Sequence, residues 1–182
     1  MKGFCDINWL YYHHYHDNPE LRRIVTIHSE QVAKKALEIC RRKNLPLNHH
    51  DVYLAAMLHD IGVVKCNAPS IHARGSLPYI CHGVEGKKIL EKAGLYKYAK
   101  VCERHTGAGL SVEDIQNRRL PLPPHDMIPH SLLEKLICYS DKFFSKSKDL
   151  KKEKSLEEVI EQMKKFGDSS YQRFLELHEI FK

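Results

Sequence analysis

The amino-acid sequence predicts an all-α, single-domain helical bundle with two irregular loops that line a cleft. Three observations predict it. Apolar residues recur at helical spacing along most of the chain, helix-start signals precede those runs, and strand-like alternation is scarce. A chain of 182 residues is long enough to bury a substantial core in one domain, and 42% apolar with 29% charged residues is ordinary for a globular protein.

The elements follow in order. Asp6 to about Tyr15 reads as a short amphipathic helix, within an N-terminal helical extension over 1–18. The run "NPELRRIVTIHSEQVAKKALEICRRKN" reads as a longer helix, with Asn18 as its cap and Pro19 in its first turn. "HHDVYLAAMLHDIG" follows, and Gly62 is expected to stop it. Residues 63–80 lack periodicity and contain Pro69, Gly75 and Pro78, so they read as a long loop. Helical patterns resume at about 81–93 and 96–105. The stretch "GLSVEDIQNRRLPLPPHDMIPHS" is a second irregular region with one short helix after Ser111. Capping boxes then open two helices, Ser131 with Glu134 and Ser155 with Glu158. Gly167 breaks the second, and a last helix runs to the C-terminus. Residues 19–145 form the expected core, and 155–182 the C-terminal helices.

Composition narrows the function classes. No apolar run approaches a membrane span, and "MKGFCDINWLYYHHYHD" is too polar for a signal peptide, so a cytoplasmic protein without membrane partners is expected. The six cysteines form no C-x-x-C pair and read as small buried hydrophobes. The net charge of +6 is uneven: Lys142 to Lys154 holds six lysines against Asp149 and Glu153. Such a run reads as a solvated face, or as attraction for a small anionic substrate. Nucleic acid is disfavoured, because no nucleic-acid motif accompanies the lysines.

Five helical patterns place a polar residue in an apolar stripe. His28 falls with Ile24, Val32 and Ala36; His82 with Gly86 and Ile89; His105 with Tyr98, Val101 and Cys102; Asp141 with Ile137 and Phe144. His59 and Asp60 end the stripe of Leu54 and Leu58. Buried carboxylates are costly without a partner, and Asp60 lies at a helix C-terminus, where the macrodipole disfavours negative charge. A cation relieves both. Neutral imidazole with carboxylate suits a divalent transition metal, namely Fe, Mn, Zn, Co or Ni. Ala55 and Ala56 below His59 and Asp60 leave room for it, and Gly86 lets a neighbouring backbone come close.

The ordered set His28, His59-Asp60, His82, His105 and Asp141 resembles the HD-domain metal-dependent phosphohydrolase superfamily. "LHDIG" looks like its central motif and "HGVEGKKIL" like the helix bearing its third histidine. "CERHTGAGL", "LPLPPHDMIP", "SLLEKLICYSDKFFSK" and "RFLELHEIF" resemble a subgroup of small HDIG-type predicted hydrolases. The resemblance covers about Arg22 to the C-terminus. It implies that His28, His59, Asp60 and Asp141 hold one metal ion, and that His82 and His105 hold a second with Asp60 bridging. His59 and Asp60 are then the catalytic pair.

The resemblance implies hydrolysis of a phosphomonoester or phosphodiester, of a nucleotide in the first instance, by a hydroxide that two metal ions activate. Lys65, His72 and Arg74 in the irregular loop are the candidates for binding the substrate phosphate. Many HD proteins place a lysine directly after "HDIG", whereas here Val63 and Val64 precede Lys65. Two alternatives share the ligand set: a mixed-valence di-iron oxygenase, and a metal- or nucleotide-binding module without turnover.

Overall fold

The structure, a computed structural model, describes residues 7–146 and 149–182. Cys5, the expected helix start at Asp6, and Lys148 of the lysine run lie outside the described residues. Helix α1 spans Ile7–Tyr15, α2 Pro19–Arg42, α3 His49–Leu58, α4 His82–Lys92 and α5 Tyr96–Arg104. Helix α6 spans Val112–Asn117, α7 Leu132–Asp141, α8 Leu156–Phe166 and α9 Asp168–Phe181. None is long and apolar enough to cross a membrane.

Local chemistry explains where most of these begin. Asn18 Oδ1 accepts from the Leu21 N–H at 3.1 Å at the start of α2, and Asn48 caps α3 in the same way. Ser111 with Asp114 and Ser155 with Glu158 form reciprocal capping boxes. The expected box at Ser131 is only half made. Ser131 accepts from the Glu134 N–H, but the Glu134 carboxylate takes the His130 N–H and Arg104 instead.

Two expectations need correction. Gly62 does not stop α3. The helix ends at Leu58, His59 is its cap in right-handed helical conformation, and the chain tightens into a 3₁₀ helix over Ile61–Lys65 that contains Gly62. The glycine serves packing: a Cβ there would lie 2.0 Å from the His82 carbonyl oxygen and 2.2 Å from the Gly86 nitrogen. Nor is 63–80 a structureless loop. It holds a two-stranded antiparallel hairpin, β1 (Asn67–Ala68) with β2 (Ala73–Arg74), closed by a 3₁₀ turn over Pro69–Ile71. A further 3₁₀ turn, Tyr79–Cys81, leads into α4.

The core is a layered helix packing. Helix α2 packs on α3 and α7, α4 on α5, and α8 on α9. Leu58, Ile61, Leu136 and Ile137 are fully buried where these layers meet, each contributing roughly 1.5–3 kcal/mol of transfer free energy. An aromatic group of Tyr139, Phe143, Phe174 and Phe181 ties α7 to α9, with the Tyr139 and Phe174 rings stacked at 5.6 Å. Val84, Leu110, Ile115 and Met127 form a separate small core beneath the second irregular region.

Helix α1 braces the turn after α3. Tyr15 is fully buried, and its hydroxyl lies 3.1 Å from the Ile61 carbonyl oxygen and 3.3 Å from that of Asp60. Tyr11 donates to the Met57 carbonyl. The Met57 carbonyl lies in the last turn of α3, where helix carbonyls lack intrahelical partners, and those of Asp60 and Ile61 come just after it.

Two stability outcomes follow. Gly62→Ala should destabilise by about 3 kcal/mol or more, because both obstructing atoms are backbone. Gly94→Ala, at φ +74° in open space, should cost only about 1–2 kcal/mol, and urea melts of both variants check the contrast. Tyr15→Phe should cost about 1 kcal/mol, read in the same melts, since the one hydroxyl proton offered to the buried carbonyls after α3 is lost.

Candidate metal centre

Five elements converge on one buried point. His28 comes from the middle of α2, His59 and Asp60 from the turn after α3, His82 from the start of α4, His105 from just beyond α5, and Asp141 from the last residue of α7. All six are buried, and His28, His59 and Asp60 have no exposed surface. Their ligand atoms form two groups, each within 4.8 Å: His28, His59, Asp60 and Asp141 in one, and Asp60, His82 and His105 in the other. Asp60 belongs to both.

The glycines make this convergence possible. Gly62 and Gly86 place the turn after α3 directly on α4, and a Cβ on Gly83 would lie 2.6 Å from the Cys102 carbonyl oxygen. Gly86 therefore permits the close backbone approach expected of it.

Hydrogen bonds set the imidazole tautomers. The Nδ1 atoms of His59, His82 and His105 lie 2.6, 2.7 and 2.8 Å from the carbonyl oxygens of Ala56, Tyr79 and Cys102, each three residues earlier. A carbonyl only accepts, so Nδ1 carries the proton in each ring. In a neutral imidazole this leaves Nε2 as a lone pair directed at the centre. Backbone carbonyls thus take the outer N–H groups, and the nearby glutamates do not. Glu85 pairs with Lys88, and Glu103 with Lys87 and His125. His28 differs: its Nδ1 is buried without a partner, and its Nε2 lies 2.9 Å from Asp141 Oδ1.

The inward atoms are mostly acceptors facing acceptors. His82 Nε2 and His105 Nε2 are 3.0 Å apart. Asp60 Oδ1 is 3.5 and 3.4 Å from those same nitrogens and makes no hydrogen bond. Lone pairs so arranged repel unless a cation lies among them, so the donor set fits metal ions.

Electrostatics follow the same logic. Burial pushes the His28 imidazole down to about 4, aided by the Lys146 ammonium. Burial and the neighbouring His105 push His82 down to about 3, and burial lowers His105. These three are therefore neutral, the ligating form, at pH 7. At His59 burial opposes the charge, but the Asp60 and Asp141 carboxylates overcome it and raise the ring to about 9. Burial likewise opposes ionisation of Asp60 and Asp141. The cations at His59 and Lys146 outweigh it for Asp60, and Lys142 and Lys146 for Asp141, so both stay well below the usual carboxylate range.

A cavity of about 630 Å³ opens outward from the centre. His82, His105 and Asp141 lie at its floor. The loop over 63–80 contributes Ser70, Ile71 and Tyr79, and the second irregular region contributes Arg118 and Leu120. Both loops therefore line the cleft, as expected. Helix α8 supplies an unexpected third wall through Gln162, Met163 and Phe166. Lys65, His72 and Arg74 are exposed, and none lines this cavity. His72 instead offers its carbonyl to Asn18 at 2.7 Å.

The lysine run does not behave as a solvated face throughout. Lys142 is buried, and its Nζ lies 2.6 Å from Asp141 Oδ2. Lys146 Nζ lies 2.7 Å from Asp60 Oδ2, with its side chain 14% exposed. Both, with Lys154, line the cavity. Sequence reasoning missed them because a lysine-rich stretch has no periodicity to tell inward from outward. The signal available was their position, one and five residues after Asp141.

Comparisons with known proteins agree with this geometry. A family model described as HD domain matches residues 25–146. A tRNA (cytidine(56)-2'-O)-methyltransferase of Thermoplasma volcanium is 29% identical over 154 residues, which are 84% of this chain and 40% of that protein. A protein of the same description from Picrophilus torridus is 32% identical over 123 residues, 67% of this chain and 32% of its own length. An uncharacterized protein of Methanocaldococcus jannaschii is 33% identical over 138 residues, 75% of this chain and 71% of that one. The chain thus spans less than half the length of the two methyltransferases. No solved structure matches it significantly. The matched span contains all six convergent residues and more than half of the sequence, and the chain belongs to the HD domain family.

Proposed function

We propose that the protein is a metal-dependent phosphohydrolase that cleaves a phosphomonoester or phosphodiester, a nucleotide foremost, at a centre of two metal ions. The observation that carries this reading is the sharing of Asp60 between two buried ligand groups at the floor of a cation-lined cavity. His28, His59, Asp60 and Asp141 would hold one ion, and His82 and His105 the other with Asp60 common to both. Ions bound there supply Lewis acidity, lowering the pKa of water and neutralising phosphoryl charge.

The chain's own residues supply the rest. The carbonyls of Tyr79 and Cys102 hold His82 and His105 in the ligating tautomer before any ion arrives, and that of Ala56 orients His59, whose Nε2 proton a bound ion would replace. Lys142, Lys146, Lys154 and Arg118 make the cavity positive, and among the described residues Asp141 is the only carboxylate that lines it, so an anion is favoured there. Phe144, Phe166 and Leu120 give the same cavity an apolar wall for the organic part of an ester. No serine or cysteine nucleophile is needed. We place the methyl transfer of the two named relatives in the portions that this chain does not match.

The test is a panel of nucleotides and phosphate esters with Mn²⁺, Fe²⁺ or Co²⁺, scored in parallel for hydrolysis (inorganic phosphate from monoesters, the freed monoester from diesters) and for O₂ consumption. Hydrolysis without O₂ uptake is expected. Substrate-dependent O₂ uptake would instead establish the oxygenase alternative, and tight metal binding without turnover the binding-module alternative. Metal analysis should find about two transition-metal ions per chain, a number set by the two ligand groups. Asp60→Ala should lose both ions and all phosphate release, whereas His82→Ala should lose one ion. An Asp60→Ala protein that still releases phosphate sinks the mechanism.

A further inference from the structure

The lysines that follow α7 are not equivalent. Lys142 is held in place, its ammonium donating to Asp141 Oδ2 at 2.6 Å and to the His105 carbonyl at 2.9 Å. Lys154 is held too, between the carbonyls of Lys142 and Phe144 and the Gln162 side-chain oxygen, at 3.1, 3.4 and 2.9 Å. Each therefore completes the protein's own hydrogen bonding.

Lys146 has a different set of neighbours. Its ammonium sits 2.7 Å from Asp60 Oδ2 and 3.9 Å from Asp141 Oδ1. These are the carboxylates of the metal centre, and Asp60 is the one that both ligand groups share. A metal ion bound at that carboxylate would stand beside the ammonium, and the repulsion between the two positive charges sets them in competition for Asp60. The ammonium stands at the end of a flexible four-carbon stem, whose torsions can carry it away from Asp60 without a change of backbone. It also lines the cavity, so the space next to it is where a substrate anion would lie.

We propose that Lys146 is an exchangeable cation: its ammonium and the metal ions are alternative partners of Asp60, and once displaced it forms the oxyanion subsite that receives a phosphate group in the cavity. Lys146 thus opposes metal binding and assists phosphate binding. The metal half of this proposal stands on geometry alone. The phosphate half rests on the phosphohydrolase reading above.

The two halves predict shifts of opposite sign for one substitution, which a merely structural lysine would not produce. Lys146→Met keeps the aliphatic stem and removes the charge. Calorimetric titration of the metal-free protein with Mn²⁺ should show about tenfold tighter binding in the variant. Titration of the Mn²⁺-loaded protein with inorganic phosphate should show about tenfold weaker binding. The rise in melting temperature from EDTA to saturating Mn²⁺ should also be larger than in the parent, since the variant's metal-free form leaves Asp60 short of a counter-charge. Lys146→Arg, which restores the charge, should return phosphate binding toward the parent value.

Mn²⁺ affinity that is unchanged or weaker in Lys146→Met overturns the competition. Phosphate affinity that is unchanged overturns the subsite. Should Lys146→Met not fold in EDTA, Lys146→Gln, which keeps a polar end, takes its place in the same titrations. If both shifts appear but the parent protein hydrolyses no ester of the panel, the phosphohydrolase reading fails and the assignment of Lys146 stands.

Discussion

The structure depends on one buried carboxylate. Asp60 has no exposed surface, and its oxygens face the Nε2 atoms of four histidines and one ammonium. A charge taken that far from water must be compensated, and the Born cost of leaving it alone far exceeds the net stability of a domain this size. Most features of the molecule can be traced to that requirement. Histidine 59 is charged where its neighbours are neutral, Lys146 bends inward, and the turn after α3 is roofed by tyrosines from α1.

Bringing ligands from five elements to one carboxylate requires backbones closer than side chains normally allow. Gly62, Gly83 and Gly86 serve that need at the junction of the turn after α3 with α4 and α5. The helices outside the family match have other work. Helix α1 braces the carbonyls around Asp60, and α8, packed on the α9 that the aromatic group ties to α7, closes one side of the cavity. The six convergent residues lie within the family match, while parts of the cavity wall and of the brace belong to segments beyond it.

Much of this was legible in the sequence, for identifiable reasons. Helices announce themselves through apolar spacing and caps, and Asn18, Ser111 and Ser155 act as their positions imply. The six polar residues stood out because each interrupts an apolar stripe. Gly62 was misread because glycine after a helix usually means a stop, and a helix–helix clearance problem leaves no local trace. Glu134 was misread because a capping box looks the same whether its carboxylate turns back or turns to a distant Arg104. Lys142 and Lys146 escaped notice because a charged run gives no periodicity, and the inward turn of Lys146 depends on a carboxylate more than eighty residues away in the chain.

Each of His59, His82 and His105 is steadied by the carbonyl three residues before it, so its ring is aligned by its own final turn of helix or 3₁₀ backbone. The alignment is a short-range property of three separate tetrapeptides and asks nothing of the residue types elsewhere. Sequence drift in the surrounding helices can then change packing, loops and cavity walls while the orientation of these three rings is kept.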